Sequence, residues 1–214
     1  VSEDKSTRGY TVPYVPFQNR EDHQLSQPAS HIVRWRRGVG KSTLIRRAIE
    51  LLAVTPALIA NLDMQSYSTL VANDLVAEVL HDICVGLAQS AGRLAKKGVT
   101  LNPLPLEQVA QQILEGTLSA SRAPAAIKRA LSKLTEGTQS HAFVFLDDFH
   151  VIESDAQPGL LHTIHGALKG ANGWLKVAGL SSLLNTYSPK TRQGLQVPGD
   201  AQFISLDLTL ENPE

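Results

Sequence analysis

A glycine-rich turn between an apolar stretch and a helical pattern is the strongest constraint on the fold of this 214-residue chain. The turn is Gly38-Val39-Gly40-Lys41-Ser42-Thr43, which follows the apolar stretch 31–33 and opens the helical pattern 44–52. A phosphate-binding P-loop requires this strand–loop–helix context, because glycines let successive backbone N–H groups point at phosphate oxygens. The N-terminus of the helix adds a partial positive charge. The sequence therefore predicts a P-loop rather than an ordinary strand-to-helix turn.

Residue types within this loop predict individual roles in nucleotide binding. We expect Lys41 to reach the β- and γ-phosphates and the Ser42 hydroxyl to hold Mg²⁺, with the other loop residues, Gly38, Val39, Gly40 and Thr43, surrounding the phosphates. The motif G-x-x-x-x-G-K-[ST] has its first glycine at position 35, where this chain has Trp35. The indole either crowds the loop entrance or points outward.

A second segment ends an apolar run with two carboxylates. The run is His141-Ala142-Phe143-Val144-Phe145-Leu146-Asp147-Asp148, a pattern typical of a strand buried on both faces of a parallel sheet. Ligands of open α/β sheets bind at the carboxyl ends of the strands, so the acids are expected beside the P-loop. Asp147 is predicted to hold Mg²⁺, and Asp148 to orient or deprotonate the attacking water. A helix cap is the alternative role for the two acids taken alone.

Together these motifs resemble those of the additional-strand P-loop ATPases: the AAA+ proteins, especially their origin-recognition-like branch, and the related STAND ATPases. The resemblance rests on residues 38–43 and 143–148, and on Phe17-Gln18-Asn19-Arg20-Glu21, which looks like an element that often precedes the P-loop in these families. Most AAA+ members have Asp-Glu where this chain has Asp147-Asp148, whereas Asp-Asp is frequent in STAND proteins. Both branches therefore stay open, and the shorter carboxylate of Asp148 is also compatible with slow hydrolysis.

The resemblance implies a fold as well: an α/β, three-layer P-loop NTPase core with a parallel sheet of strand order 5-1-4-3-2. It also implies that the strand ending in Asp147 lies beside the P-loop strand, and that a helical lid, absent from this chain, follows the fifth strand. The sequence pattern itself predicts five strands with helices between them. The strands are expected at about 31–35, 57–63, 141–147, 175–180 and 203–208, and the helices at about 41–53, 68–96, 160–168 and twice within 106–136.

Domain organisation follows from the distribution of proline. Residues 1–30, punctuated by three prolines, are predicted to form an extended N-terminal segment with one helical turn at 20–25. Residues 31–214 are predicted to form the ATPase core domain.

Two further roles in the site come from the resemblance alone. The family places a polar sensor of the γ-phosphate or lytic water at the end of the fourth strand, where Ser181 or Ser182 is the positional match and Asn185 a weaker one. Arg192 falls where some relatives present an arginine to a neighbouring subunit, where it would stabilise the transferring phosphoryl group. A helix cap for the serines and a solvated loop position for Arg192 are the alternatives.

Composition limits the classes of partner. Hydrophobic residues make up 43% of the chain and charged residues 19%, as in globular proteins, and 20 basic residues balance 20 acidic ones. No global field therefore steers the chain to nucleic acid or to a membrane. A single cysteine, the lack of a long apolar run and the lack of a visible signal peptide favour a cytoplasmic location without a membrane partner.

The leading functional expectation is an ATPase that uses ATP and Mg²⁺ and whose binding and hydrolysis switch a homo-oligomer or a hetero-assembly. Origin-recognition-like relatives bind DNA, so DNA is a candidate partner, contacted through parts outside this chain. The alternatives are a non-hydrolysing nucleotide-binding scaffold, a STAND-type signalling sensor and, less favoured, a phosphotransferase built on the same loop.

Overall fold

The computed structural model describes residues 20–35, 41–99 and 101–206. The strands within these ranges are β1 (His31–Trp35), β2 (Leu58–Asp63), β3 (Ala142–Asp147), β4 (Gly173–Leu180), β5 (Tyr187–Ser188), β6 (Gln193–Gly194) and β7 (Gln202–Ser205). The helices are α1 (Glu21–Leu25), α2 (Lys41–Leu52), α3 (Ala72–Ala95), α4 (Leu104–Leu114), α5 (Ala123–Thr135) and α6 (Gln157–Leu168). Short 3₁₀ turns lie at Met64–Tyr67 and Phe149–Val151.

Five of the strands form one parallel sheet in the order β2-β3-β4-β1-β7. Counted along the chain, these strands have the order 5-1-4-3-2 from the other edge, so the predicted order is confirmed. The expectation that β3 lies directly beside β1 is wrong, because β4 pairs with both: its Val177 is opposite Ile32 of β1 and Leu146 of β3.

Helices cover both faces of the sheet and produce the three layers. Successive side chains of a strand point to opposite faces. Val33 and Phe145 therefore pack in the apolar cluster with α2, whereas Ile32 and Val144 pack in the larger cluster that contains residues of α3, α4, α5 and α6. The β3 residues Ala142–Leu146 are apolar and all buried, which explains why this strand lacks a polar-out alternation in the sequence.

The connection from β4 to β7 differs from the expectation of a helix between every pair of strands. Residues 181–201 contain no helix; they form the antiparallel hairpin of β5 and β6 instead. This segment includes two prolines and has no helical apolar period. Gly194 has φ 114°, and a Cβ there would collide with the carbonyl oxygen of Thr186, so the hairpin requires glycine at this position.

The amino end of the sheet is fixed by a buried lysine. Lys176 of β4 is 1% exposed, and its Nζ lies 2.7 Å from the carbonyl oxygen of Gln27, 2.6 Å from that of Ala29 and 2.9 Å from His31 Nδ1. Burial lowers the pKa of Lys176 to about 6. Burial, and then the neighbouring Lys176 charge, lowers the pKa of His31 to about 3. The segment between α1 and β1 is thus held to the middle of the sheet by one amine.

The buried amine predicts a pH-dependent stability. The pKa of Lys176 is about 6 in the fold and 10.5 ordinarily, so the folded state binds fewer protons between these values and stability rises with pH there. We expect the free energy of unfolding to rise by up to about 1.4 kcal/mol per pH unit. Urea unfolding at pH 6.5, 7.5 and 8.5 measures this slope, which Lys176→Met should lack and the exposed-residue control Lys133→Met should keep. An equal slope in Lys176→Met and the parent would contradict the assignment.

Candidate nucleotide site

The carboxyl ends of four parallel strands bring the acid pair, Trp35 and Ser181 to one edge of the sheet. Asp63 at the end of β2 is opposite Asp147 at the end of β3, and Trp35 at the end of β1 is opposite Leu180 at the end of β4. Ser181 follows Leu180 directly. Open α/β sheets bind ligands at this edge. The fold therefore brings Asp147, Asp148 and Ser181 to the same edge at which β1, the strand before the predicted P-loop, also ends, with β4 between β1 and β3.

The acid pair at the end of β3 has a distinctive backbone. Asp148 adopts the left-handed conformation with φ 53° and ψ 34°, and its backbone N–H donates to Asp147 Oδ1 at 2.7 Å. Aspartate tolerates this region better than most residues, and strained backbone of this kind clusters at functional sites. Both carboxylates are half-buried, so each has access to solvent at the edge of the sheet.

Two residues that the sequence analysis did not assign to the site contact Asp148. Gln65 Nε2 donates to Asp148 Oδ2 at 3.1 Å, and His150 Nδ1 lies 3.9 Å from Asp148 Oδ1. Gln65 lies in the 3₁₀ turn that follows β2. The Asp63 carboxylate caps this turn by accepting the Gln65 backbone N–H at 3.0 Å. The only signal for Gln65 in the sequence is a polar residue just after a strand, which is too common to single it out.

The P-loop residues themselves are described only in part. Helix α2 begins at Lys41, as predicted, and Thr43 in its first turn is exposed. Gly38, Val39 and Gly40 lie outside the described residues, as do the side chains of Lys41 and Ser42. Their roles in phosphate and Mg²⁺ binding stay predictions.

Trp35 lies in the core rather than at the surface. It is 4% exposed, packs in the apolar cluster with Leu44 and Ile45 of α2, and meets the His150 ring edge-on with centroids 6.4 Å apart. Strand alternation explains this position, because Trp35 shares with Val33 the face toward α2. The outward orientation is thereby excluded, and the indole joins the P-loop helix to the residues that follow the acid pair.

The loop after β4 places the sensor candidates differently. The backbone N–H and the hydroxyl of Ser181 both donate to the carbonyl oxygen of Trp35, at 3.1 and 3.3 Å. Ser182 is exposed, and Asn185 Nδ2 donates to the carbonyl oxygen of Ser154 at 3.1 Å. Ser181 is the candidate that joins the end of β4 to the end of β1, and the Asn185 amide contacts the loop after β3.

Arg192 lies in the turn between β5 and β6, is exposed and has φ 55°. The structure therefore places it on the hairpin, apart from the strand ends that carry the acids and Ser181. A solvent-exposed hairpin residue is accessible to a neighbouring molecule.

The three carboxylates at the carboxyl edge match Mg²⁺ in chemical type, although their oxygens do not all lie within 4.8 Å of one another. Asp63, Asp147 and Asp148 offer carboxylate oxygens, which are the ligands that Mg²⁺ prefers. A second group of candidate ligands lies on α3, where donor atoms of Glu78, His81 and Asp82 are within 4.8 Å of one another. Both Asp82 oxygens there have partners, the Tyr67 hydroxyl at 2.5 Å and His81 Nδ1 at 2.9 Å.

Comparisons with known proteins bear on the fold. No protein-family model matches the sequence, and no curated protein matches it significantly. The structure is similar to the Orc1 protein of Aeropyrum pernix in complex with DNA, with a TM-score of 0.52, 13% identity, and coverage of 89% of this chain and 45% of that chain. It is also similar to a structure of Drosophila ORC bound to poly(dA/dT) DNA and Cdc6, with a TM-score of 0.51, 12% identity, and coverage of 87% and 28%.

These likenesses show the fold, and the chain spans less than half the length of either chain it matches. The five-stranded parallel sheet of this order, with helices on both faces, is that of a P-loop NTPase core. In the ranges that the structure describes, none of the helices combines the length and apolar character needed to cross a membrane.

The burial of Trp35 predicts a large structural contribution. Trp35→Ala should lower the free energy of unfolding by about 3–5 kcal/mol, because it leaves a cavity between the sheet and α2. The control is Trp174→Ala, since Trp174 is only half-buried and loses less packing. Chemical unfolding followed by circular dichroism measures both variants. A smaller loss for Trp35→Ala than for Trp174→Ala would contradict the core position.

Proposed function

We propose that this protein binds Mg²⁺·ATP at the carboxyl edge of its sheet and hydrolyses it, and that this cycle switches a macromolecular assembly. The main support is the acid pair Asp147-Asp148 at the end of β3, at the same edge of the sheet as the end of β1, the strand that the P-loop pattern 38–43 follows in the sequence. A P-loop pattern taken alone also matches turns that bind no phosphate. The acid pair at the carboxyl edge of the same parallel sheet is a second feature of a nucleotide site, which makes such a chance match less frequent.

Each residue has a chemical role in this proposal. The backbone of Gly38, Val39, Gly40 and Thr43 surrounds the phosphates, and Lys41 neutralises the β- and γ-phosphates. Ser42 and Asp147 would hold Mg²⁺, which supplies charge neutralisation on the phosphate oxygens when bound. Asp148 orients the attacking water and takes its proton as the oxygen bonds to the γ-phosphorus and the bond to ADP breaks.

Ser181 and Gln65 position the groups around the acid pair. Ser181 lies between the ends of β1 and β3, because β4 separates these strands, and we assign it the sensor role. The Gln65 amide holds one oxygen of Asp148, so the carboxylate keeps a defined orientation toward the water.

Partners follow from the same reasoning. Two of the similar structures contain DNA, so DNA is a candidate partner of the assembly, contacted through parts outside this chain. We assign Arg192, which is exposed on the hairpin, the role of an arginine presented to a neighbouring subunit of a homo-oligomer or a hetero-assembly.

A non-hydrolysing nucleotide-binding scaffold is the second candidate function. The short carboxylate of Asp148 favours it, because an aspartate reaches less far toward an attacking water than the glutamate that most AAA+ proteins have at this position. Both candidate functions agree with the resemblance to AAA+ proteins and with the resemblance to STAND proteins.

Paired variants test the assignment. Lys41→Ala should weaken ATP binding by about 10–100-fold, because charged hydrogen bonds to the phosphates are lost. Asp148→Asn should change ATP affinity by less than about threefold but lower hydrolysis by about 100-fold or more, because the base is lost while Asp147 is intact. Isothermal titration and phosphate release measure these quantities, with Lys133→Ala as the surface control.

The outcomes separate the candidates. Phosphate release by the parent no faster than by Lys41→Ala would exclude the enzyme and leave the scaffold. Equal loss of ATP binding in Lys41→Ala and Asp148→Asn would contradict the separate roles of the two residues.

A further inference from the structure

A buried glutamine connects two loops that flank the candidate site. Gln157, the first residue of α6, is 1% exposed. Its Nε2 donates to the carbonyl oxygens of Ile152 at 2.8 Å and Leu183 at 3.1 Å, and its Oε1 accepts the backbone N–H of Asn185 at 2.8 Å. We call residues 148–156 the acid loop and residues 181–186 the sensor loop; the Gln157 amide bonds to both.

The orientation of this amide is determined by its partners. Two carbonyl oxygens require the nitrogen on one side, and one N–H requires the oxygen on the other, so a flipped amide would lose all three bonds. A buried side chain of other chemistry would leave these backbone groups unsatisfied. Position 157 therefore requires a side chain of the length of glutamine that carries both a hydrogen-bond donor and an acceptor.

A second bond joins the same two loops. Asn185 Nδ2 of the sensor loop donates to the carbonyl oxygen of Ser154 in the acid loop at 3.1 Å. The two loops are far apart in sequence; these side-chain amides link their backbones, and Ile152 and Leu184 of the two loops also pack in the same apolar cluster. Two amides, one buried and one half-buried, thus make the loops one hydrogen-bonded unit.

Each loop carries part of the site. The acid loop begins with Asp148 and includes His150, while the sensor loop begins with Ser181 and leads directly into β5 of the hairpin that bears Arg192. A displacement of one loop that keeps these bonds must displace the other.

We propose that Gln157 is a positioning residue that makes the acid loop and the sensor loop move together, and so links the state of Asp148 to the position of Ser181 and of the Arg192 hairpin. The link to turnover rests on the proposed ATPase function; the mechanical coupling of the loops does not. Gln157 itself touches neither nucleotide nor metal in this proposal.

Hydrogen exchange of the nucleotide-free protein tests the coupling. Gln157→Met keeps the length of the side chain and removes all three bonds. We expect exchange to rise by about tenfold or more both at Val151 and Ile152 and at Leu184 and Asn185. The control Leu168→Ala removes a buried side chain at the other end of α6 and should not raise exchange selectively in these two loops.

Steady-state kinetics tests the consequence. In Gln157→Met, kcat should fall by about tenfold or more while KM for ATP changes by less than about threefold, because misplaced catalytic groups cost turnover more than binding. The control Leu168→Ala should keep the parent kcat.

Three results would overturn the proposal: exchange that rises in only one loop, exchange that rises in neither, or equal kcat values in Gln157→Met and Leu168→Ala when the parent is active. A parent without ATPase activity would refute the proposed function, and the exchange data would still decide the coupling.

A milder variant keeps the test valid if Gln157→Met fails to fold. Asn185→Ala removes only the bond to Ser154 from a half-buried position, and exchange should rise by about threefold in both loops. Unchanged exchange in the acid loop would then overturn the proposal.

Discussion

The pairing of β4 with both β1 and β3 is the interaction on which the rest of the structure depends. Neighbouring strands lie about 4.8 Å apart, so this arrangement sets the P-loop strand and the acid-pair strand about 10 Å from each other. Ser181 borders this gap at the carboxyl edge, and its N–H and hydroxyl both donate to the Trp35 carbonyl oxygen, which joins the end of β4 to the end of β1. Strand β4 thus separates the strand before the predicted P-loop from the strand that ends in the acid pair. The residue after β4, Ser181, borders the space between their ends.

The two ends of the sheet are built differently, and the difference suits a site at one end. At the amino end, buried Lys176 and Ser30 satisfy backbone groups and hold the α1–β1 segment in place. At the carboxyl end, half-buried or exposed carboxylates and amides remain accessible. Beneath the carboxyl end, Trp35 packs with apolar residues of α2. The polar groups at this end are therefore attached to a closely packed, rigid layer.

Much of this architecture could be predicted from the sequence, because long apolar runs and the P-loop pattern are strong signals. The position of α2 follows from the P-loop pattern, that of α3 from helical periodicity, that of β3 from an unbroken apolar run, and the strand order from the resemblance. The β5–β6 hairpin could not, since two-residue strands have no periodicity to detect. Gln65 and Gln157 could not either, because what distinguishes them is a long-range hydrogen bond, as from Gln65 to Asp148. The orientation of the Trp35 ring could not be predicted either, because the sequence does not show which face of β1 packs against α2.

The most direct test of a metal–nucleotide site at the carboxyl edge is paramagnetic broadening of assigned backbone amide signals, with Mn²⁺ in place of Mg²⁺ and a non-hydrolysable ATP analogue. Broadening that requires the nucleotide and centres on Asp63, Asp147, Asp148 and Ser181 is the predicted result. Broadening centred on the Glu78–Asp82 cluster of α3, or no nucleotide-dependent broadening, would contradict a site at this edge of the sheet.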